Sequence, residues 1–203
     1  MISHLFTTPV AHFHSTAAAN DADGLRAYLQ QLRDRSPGEK RSNQGAWHSP
    51  SDLFDPARHP QFPSVMQAVT KGLFEYFGNV MGYEGELHFA LSAWAVINKP
   101  GDTNAPHTHP GNLLSGAYYL QIPAGMTGGE IVFMDPRLNV NAYGSEAKNK
   151  LGLHAPWDNS SVAHNPKQGD LLIFPSWLPH YVNAFLSPDP TAERIVISFN
   201  AAV

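Results

Sequence analysis

Around Gly85 the apolar side chains stop recurring every three to four residues and begin to recur every second one. A period near 3.6 draws an apolar stripe along a helix, and a period of 2 draws an apolar face along a strand. The change therefore divides the chain between two kinds of packing element. Upstream, Leu25, Tyr28, Leu29 and Leu32 keep helical spacing behind the cap-forming residues at 20–23, and the Arg-Asp-Arg-Ser-Pro-Gly run at 33–38 ends that helix. A second helix is expected from Pro63-Ser64, carrying Val65, Met66, Val69, Leu73, Phe74, Phe77 and Val80. The polar, proline-punctuated stretch between them reads as a loop. Downstream, Leu87, Phe89, Leu91, Ala93, Ala95 and Ile97 alternate with His88, Ala90, Ser92, Trp94, Val96 and Asn98, a long strand covered on both faces. Further strands are expected at 113–122, 130–134, 170–174 and 194–200, with Gly and Pro in each gap. Helices first and strands after make the class α+β, and many short strands favour a sandwich or barrel. The 203 residues fit a single domain, 1–84 mainly helical and 85–203 the β core.

Composition narrows the chemistry. A hydrophobic share of 42% supports a continuous core. With no cysteine, disulfide scaffolds, Cys-ligated zinc, iron–sulfur clusters and thiol catalysis are excluded. A net charge of −4 without a Lys/Arg cluster argues against nucleic acid as a partner. Apolar runs such as 171–174 are far shorter than the roughly 20 residues of a membrane helix. Residues 1–10 lack the charged start and apolar stretch of a secretory signal, so a cytoplasmic location is expected, away from membranes. The unusual number is 11 histidines against 13 Lys and Arg, because histidine is the commonest metal ligand.

His107-Thr108-His109 stands between a Pro/Gly turn region and a strand. In extended backbone residues i and i+2 point the same way, so both imidazoles could face one ion. Alone, such a pair reads as plainly as two solvated loop histidines. Further on, Gly169-Asp170-Leu171-Leu172-Ile173-Phe174 forms a strand, and a turn then leads to His180. Arg194 opens the last strand, sharing a face with Val196 and Ser198 while Ile195 and Ile197 take the other. Arginine is the preferred bidentate partner of a carboxylate, although a strand-edge arginine can also be mere solvation.

In order, these elements (His-x-His-Pro, Ser-Gly-x-Tyr-Tyr-Leu, Gly-Gly, Gly-Asp-Leu-Leu-Ile-Phe, His, Arg) resemble the Fe(II)/2-oxoglutarate-dependent oxygenases, closest to the prolyl-hydroxylase-like branch and a group of bacterial members. The likeness runs from about Trp94 to Asn200. It implies a double-stranded β-helix, a jelly-roll or cupin-like barrel, with the N-terminal helices packed on one sheet. It implies Fe(II) and 2-oxoglutarate as cofactors, dioxygen as co-reactant, and hydroxylation of a substrate C–H bond. By the same resemblance His107 and His180 are iron ligands, Arg194 binds the far carboxylate of 2-oxoglutarate, and Ser198 and Tyr119 stand beside it. The chain departs from the pattern at His109, where the family has Asp or Glu. Three readings stand: His109 ligates directly, Asp135 supplies a carboxylate from another strand, or water or an anion fills the position with His109 behind it. A rival reading is a cupin-like metal protein with a three-histidine site that does not use 2-oxoglutarate. Arg194 separates the two, since such a protein has no need of a buried cationic fork.

Lesser candidates complete the list. Asp135 and Arg137 could pair as a turn brace, Trp94 and Asn98 could line the mouth of the site, and Asn104 could touch substrate or cap a turn. His88 reads as a buried structural histidine, whereas His4, His12, His14, His48, His59, His154 and His164 read mostly as solvated. Residues 138–167 lack periodicity, as an active-site lid does. No pattern selects the substrate, small molecule or peptide. Exposed-looking aromatics at Trp47, Phe54 and Phe62 are compatible with a homodimer.

Overall fold

A computed structural model describes residues 6–16, 18, 21–137, 150 and 161–203. The N-terminal part holds β1 (Ala11–His14), α1 (Ala22–Arg35), β2 (Asn43–Gln44), β3 (Trp47–His48) and α2 (Pro63–Asn79). The β core follows as β4 (Ala90–Asn98), β5 (Thr103–His107), β6 (Leu114–Gln121), β7 (Thr127–Gly128), β8 (Ile131–Met134), β9 (Ser161–His164), β10 (Asp170–Pro175), β11 (His180–Val182), β12 (Phe185–Leu186) and β13 (Arg194–Ala202). A six-stranded sheet runs β1-β10-β6-β13-β4-β3, and a five-stranded sheet runs β2-β5-β11-β8-β9. The chain crosses repeatedly from one sheet to the other (β4 to β5, β5 to β6, β9 to β10, β10 to β11), with antiparallel pairing throughout both ladders. That is the crossing pattern of a double-stranded β-helix.

Two cores lie on opposite faces of the large sheet. Leu25 and Leu29 of α1 and Val65, Val69, Leu73 and Phe77 of α2 pack on Tyr118, Leu171, Ile173, Ile195, Ile197 and Phe199. Between the sheets, Ala117, Tyr119, Ile131, Phe133, Leu172, Phe174, Leu178 and Val196 form the second core. Strand alternation divides the residues: on β13 the odd positions meet the helices and the even positions face the interior. Each such aliphatic or aromatic side chain contributes about 1.5–3 kcal/mol by leaving water. Close approach depends on two glycines. A Cβ at Gly72 would sit 2.9 Å from Leu171 of β10, and one at Gly116 would sit 2.2 Å from the Phe199 ring. Pro63 starts α2, as its sequence position predicts.

Several expectations need correction. The first 84 residues are less helical than their spacing implies, because β1, β2 and β3 join both sheets through strands too short to show a period. The long strand begins at Ala90 instead of residue 87, since its partner β13 pairs only from Arg194↔Asn98 to Ala202↔Ala90. His88 is therefore exposed, with Nε2 3.3 Å from a carboxylate oxygen of Glu86. Phe62 and Phe54 are buried and Trp47 donates its indole N–H to Ser36 O, so these aromatics offer no exposed patch for a dimer. Of the 138–167 stretch, 138–149 and 151–160 lie outside the described residues, as do His4 and His154, while 161–164 form β9.

Candidate active site

His107 ends β5 and lies directly opposite His180, the first residue of β11, in the antiparallel register. His109 is not on the strand. β5 stops at His107, and His109 is fixed in the following loop by its backbone N–H, which donates to Ser176 O at 2.9 Å. The three rings nonetheless converge: their centroids are 5.0 Å (His107–His109), 4.4 Å (His107–His180) and 5.2 Å (His109–His180) apart. One ring nitrogen from each lies within 4.8 Å of the others.

Backbone carbonyls select the tautomers of two rings. His107 Nδ1 is 2.7 Å from Ala105 O and His180 Nδ1 is 2.9 Å from Leu178 O. A carbonyl only accepts, so each Nδ1 carries the proton and each Nε2 presents its lone pair, the form in which imidazole binds metals. Protonation is disfavoured for all three. Burial, reinforced by His180, His107 and His48, pushes His109 down to about 3, and burial with His107 pushes His180 down to about 4. Burial also lowers His107. Three neutral, convergent nitrogen donors fit a divalent iron, cobalt, nickel or zinc ion. Asp135 is elsewhere: Arg137 grips its carboxylate through Nε at 2.9 Å and through its backbone N–H at 3.0 Å. Among the described residues Asp135 belongs to no group of converging ligands, and the geometry there is that of the turn brace.

A cavity of about 500 Å³ opens between the sheets, lined by these histidines and by Tyr119, Arg194 and Ser198. Arg194 is 3% exposed. Its Nη1 donates to Asn98 Oδ1 at 3.1 Å and its guanidinium lies 5.2 Å from the Tyr119 ring centroid. Yet its Nε is buried with no hydrogen-bond partner among the described residues, as is Asn98 Nδ2. Unpaired buried donors are costly, and two of them beside a buried cation describe a place for an anion. Burial pushes the Tyr119 phenol up to about 12, so it stays protonated and can donate as well. A dicarboxylate with one end among these donors and the other at the histidines fits the chemistry of the cavity.

Asn98 is thus an internal partner of Arg194, placed beside it by the Arg194↔Asn98 pairing. Trp94 is 8% exposed and does line the cavity, 5.7 Å from His109. Sequence reasoning missed several lining residues, among them Arg41, Ser42 and His48. His48 was expected in solvent but is buried, stacked on Trp94 at 5.5 Å with Nδ1 2.6 Å from Ser49 O. Ser42 Oγ stands 3.4 Å from His107 Nε2 and accepts from Asn104 Nδ2 at 3.3 Å. All three sit in the polar stretch before α2, where no period or motif marks them.

Solved structures share this architecture. A Pseudomonas putida prolyl-4-hydroxylase is 16% identical, with 98% of this chain and 94% of that chain covered at a TM-score of 0.64. HygX from Streptomyces hygroscopicus, solved with nickel and 2-oxoglutarate bound, is 13% identical over 97% of this chain and 83% of that one, TM-score 0.62. A Trichoplax adhaerens prolyl hydroxylase, in complex with a hypoxia inducible factor peptide fragment, is 14% identical over 98% and 85%, TM-score 0.61. At these identities the likeness is one of fold. No curated protein matches the sequence. The family model of 2OG-Fe(II) oxygenases matches residues 92–200, which span both β5 and β13 and therefore every histidine of the cluster and Arg194. That match sets aside the cupin-like alternative. With more than half of its length so matched, the chain belongs to the 2OG-Fe(II) oxygenase family, enzymes that depend on Fe(II) and 2-oxoglutarate.

Proposed function

We propose that His107, His109 and His180 hold the iron, that Arg194 with Tyr119 and Ser198 holds 2-oxoglutarate, and that the enzyme hydroxylates a C–H bond of a small molecule or peptide. The observation that carries this reading is the buried Arg194, whose Nε lacks a partner among the described residues, in the same cavity as three convergent neutral imidazoles. Iron and 2-oxoglutarate together supply oxidative decarboxylation, which activates dioxygen for attack on a C–H bond. The chain's own residues do the positioning. Arg194 offers a fixed, permanently charged fork to the far carboxylate, and its stacking on Tyr119 keeps the fork from turning. The Tyr119 hydroxyl donates a further hydrogen bond, and Ser198, four residues from Arg194 on the same face of β13, adds a small polar group. Phe133 and Phe174 pack beside His180 and keep bulk water from that side of the centre.

His109 in place of a carboxylate has a consequence. Three neutral ligands leave the full dipositive charge on the ion, where an Asp or Glu would offset one unit. The centre should therefore attract the anionic cosubstrate more strongly and depend on it more for keeping the metal. A cavity of about 500 Å³ leaves room beyond the cosubstrate for a small molecule or one peptide side chain. The structural relative solved with a peptide fragment bound supports that range. Among the described residues no helix is long and apolar enough to cross a membrane.

The test is anaerobic titration of Fe(II)-loaded protein with 2-oxoglutarate, watching the visible charge-transfer absorption. A band should appear, and in Arg194→Ala it should require roughly 100-fold more 2-oxoglutarate, the effect of about 3 kcal/mol from a lost charged hydrogen-bonding partner. Iron binding without a band would refute the cosubstrate assignment.

A further inference from the structure

A second group of histidines lies outside this cavity, at the edges of both sheets. β1 and β10 are adjacent at one end of the large sheet and β9 is the edge strand of the small one. His12 and His14 project from the same face of β1 toward Asp170, which is only 3% exposed. His12 Nε2 is 3.3 Å and His14 Nδ1 3.2 Å from Asp170 Oδ1, while His164 Nε2, from β9, is 3.7 Å from Asp170 Oδ2. One donor atom from each of His12, His164 and Asp170 lies within 4.8 Å of the other two.

A hydrogen-bonded brace accounts for only part of this. Asp170 Oδ2 accepts the backbone N–H of Lys167 at 2.8 Å, and His14 suffices to engage Oδ1. That leaves His12 and His164, whose rings meet edge to face at 4.6 Å. His164 Nε2 is buried and has no hydrogen-bond partner among the described residues. His12 Nε2 and His164 Nε2 converge on one carboxylate, and a cation between them would take both lone pairs and a carboxylate oxygen at once. The side chain of His12 is 48% exposed, which gives an ion an entry path and leaves open positions for water.

We propose that His12, His164 and Asp170 form a second divalent-metal site of the zinc class, with His14 as a positioning residue that orients the Asp170 carboxylate. The site shares no residue with the His107 cluster. It ties an edge of one sheet to an edge of the other across two four-residue strands, β1 and β9, which among the described residues pair with one neighbour each. A metal there stabilises the closed arrangement of the sheets by linkage and takes no part in turnover.

The experiment is equilibrium dialysis of chelator-treated protein against Zn²⁺, with metal content measured per chain. Two ions are expected in the unaltered protein, one in the His107→Ala/His180→Ala variant, one in His164→Ala, and none when all three changes are combined. Zn²⁺ should also raise the Tm of the His107→Ala/His180→Ala variant, and His12→Gln, a mild change on an exposed residue, should abolish that rise. If the His107→Ala/His180→Ala protein, shown folded by circular dichroism, binds no zinc, the second site is refuted. It is equally refuted if zinc binding there survives both His164→Ala and Asp170→Asn. A single ion that is lost only in His164→Ala would support the edge site and count against the His107 centre, so the two readings fail separately.

Discussion

The two faces of the large sheet both hold buried side chains and put them to opposite use. On β13, Ile195, Ile197 and Phe199 are 0% exposed against the helices, and on the reverse face Arg194 is 3% exposed. Depth does not distinguish Arg194 from those three. Satisfaction does: the helix-facing side chains ask for nothing but contact, whereas the cavity face keeps Arg194 Nε and Asn98 Nδ2 buried and, among the described residues, unpaired. Alternation along one strand thus separates folding from ligand demand by a single residue step. Stability and binding should be separable by mutation at neighbouring positions.

The sharpest break of that comparison is His180→Ala. It should lower Fe(II) affinity by well over the roughly 100-fold typical of losing an outer-shell partner. Turnover of 2-oxoglutarate should disappear, while urea unfolding of the metal-free protein shifts little. Full iron content by metal analysis would put the centre elsewhere. Next comes the helix face. Ile197→Ala should cost about 2–5 kcal/mol of stability by emptying a packed site. The affinity of the surviving folded protein for 2-oxoglutarate should stay within about twofold. A large change in that affinity would mean that the faces are coupled.

The pH dependence belongs to the cavity face. His109 and His180 titrate near 3 and 4 when folded, against about 6.5 when unfolded, so between those limits the unfolded chain binds more protons. Stability of the metal-free protein should be full above about pH 6.5 and fall as pH drops from there toward 4. Urea midpoints measured across that range should flatten in His109→Gln/His180→Gln, and Ile197→Ala should shift the curve without changing its slope. The smallest effect is expected from Tyr119→Phe. Removing one hydroxyl donor should weaken 2-oxoglutarate by about 0.5–1.5 kcal/mol, roughly 2- to 13-fold, and leave iron binding unchanged. Calorimetric titration would reveal either a larger loss or none.

Much of this molecule can be read from its sequence because the signals are local. The change of period near Gly85, the start of α2 at Pro63, the strands around 114–121, 131–134, 170–175 and 194–202, and the split of β13 into two faces all follow from side chains within one element. The ordered series of His107, His109, His180 and Arg194 was equally visible, and it carried the family. What the tertiary structure alone decided depends on partners distant in the chain. β1, β2 and β3 are too short to have a period and exist only because β10, β5 and β4 offer them unpaired edges. His109 joins the cluster because Ser176 O holds its amide, not because a strand aligns it with His107. Asp135 turns to Arg137, and His48, apparently an ordinary loop histidine, is buried against Trp94. Periodicity reports which face of an element is apolar. It is silent on which other element will cover that face, and here that pairing decides which histidines meet.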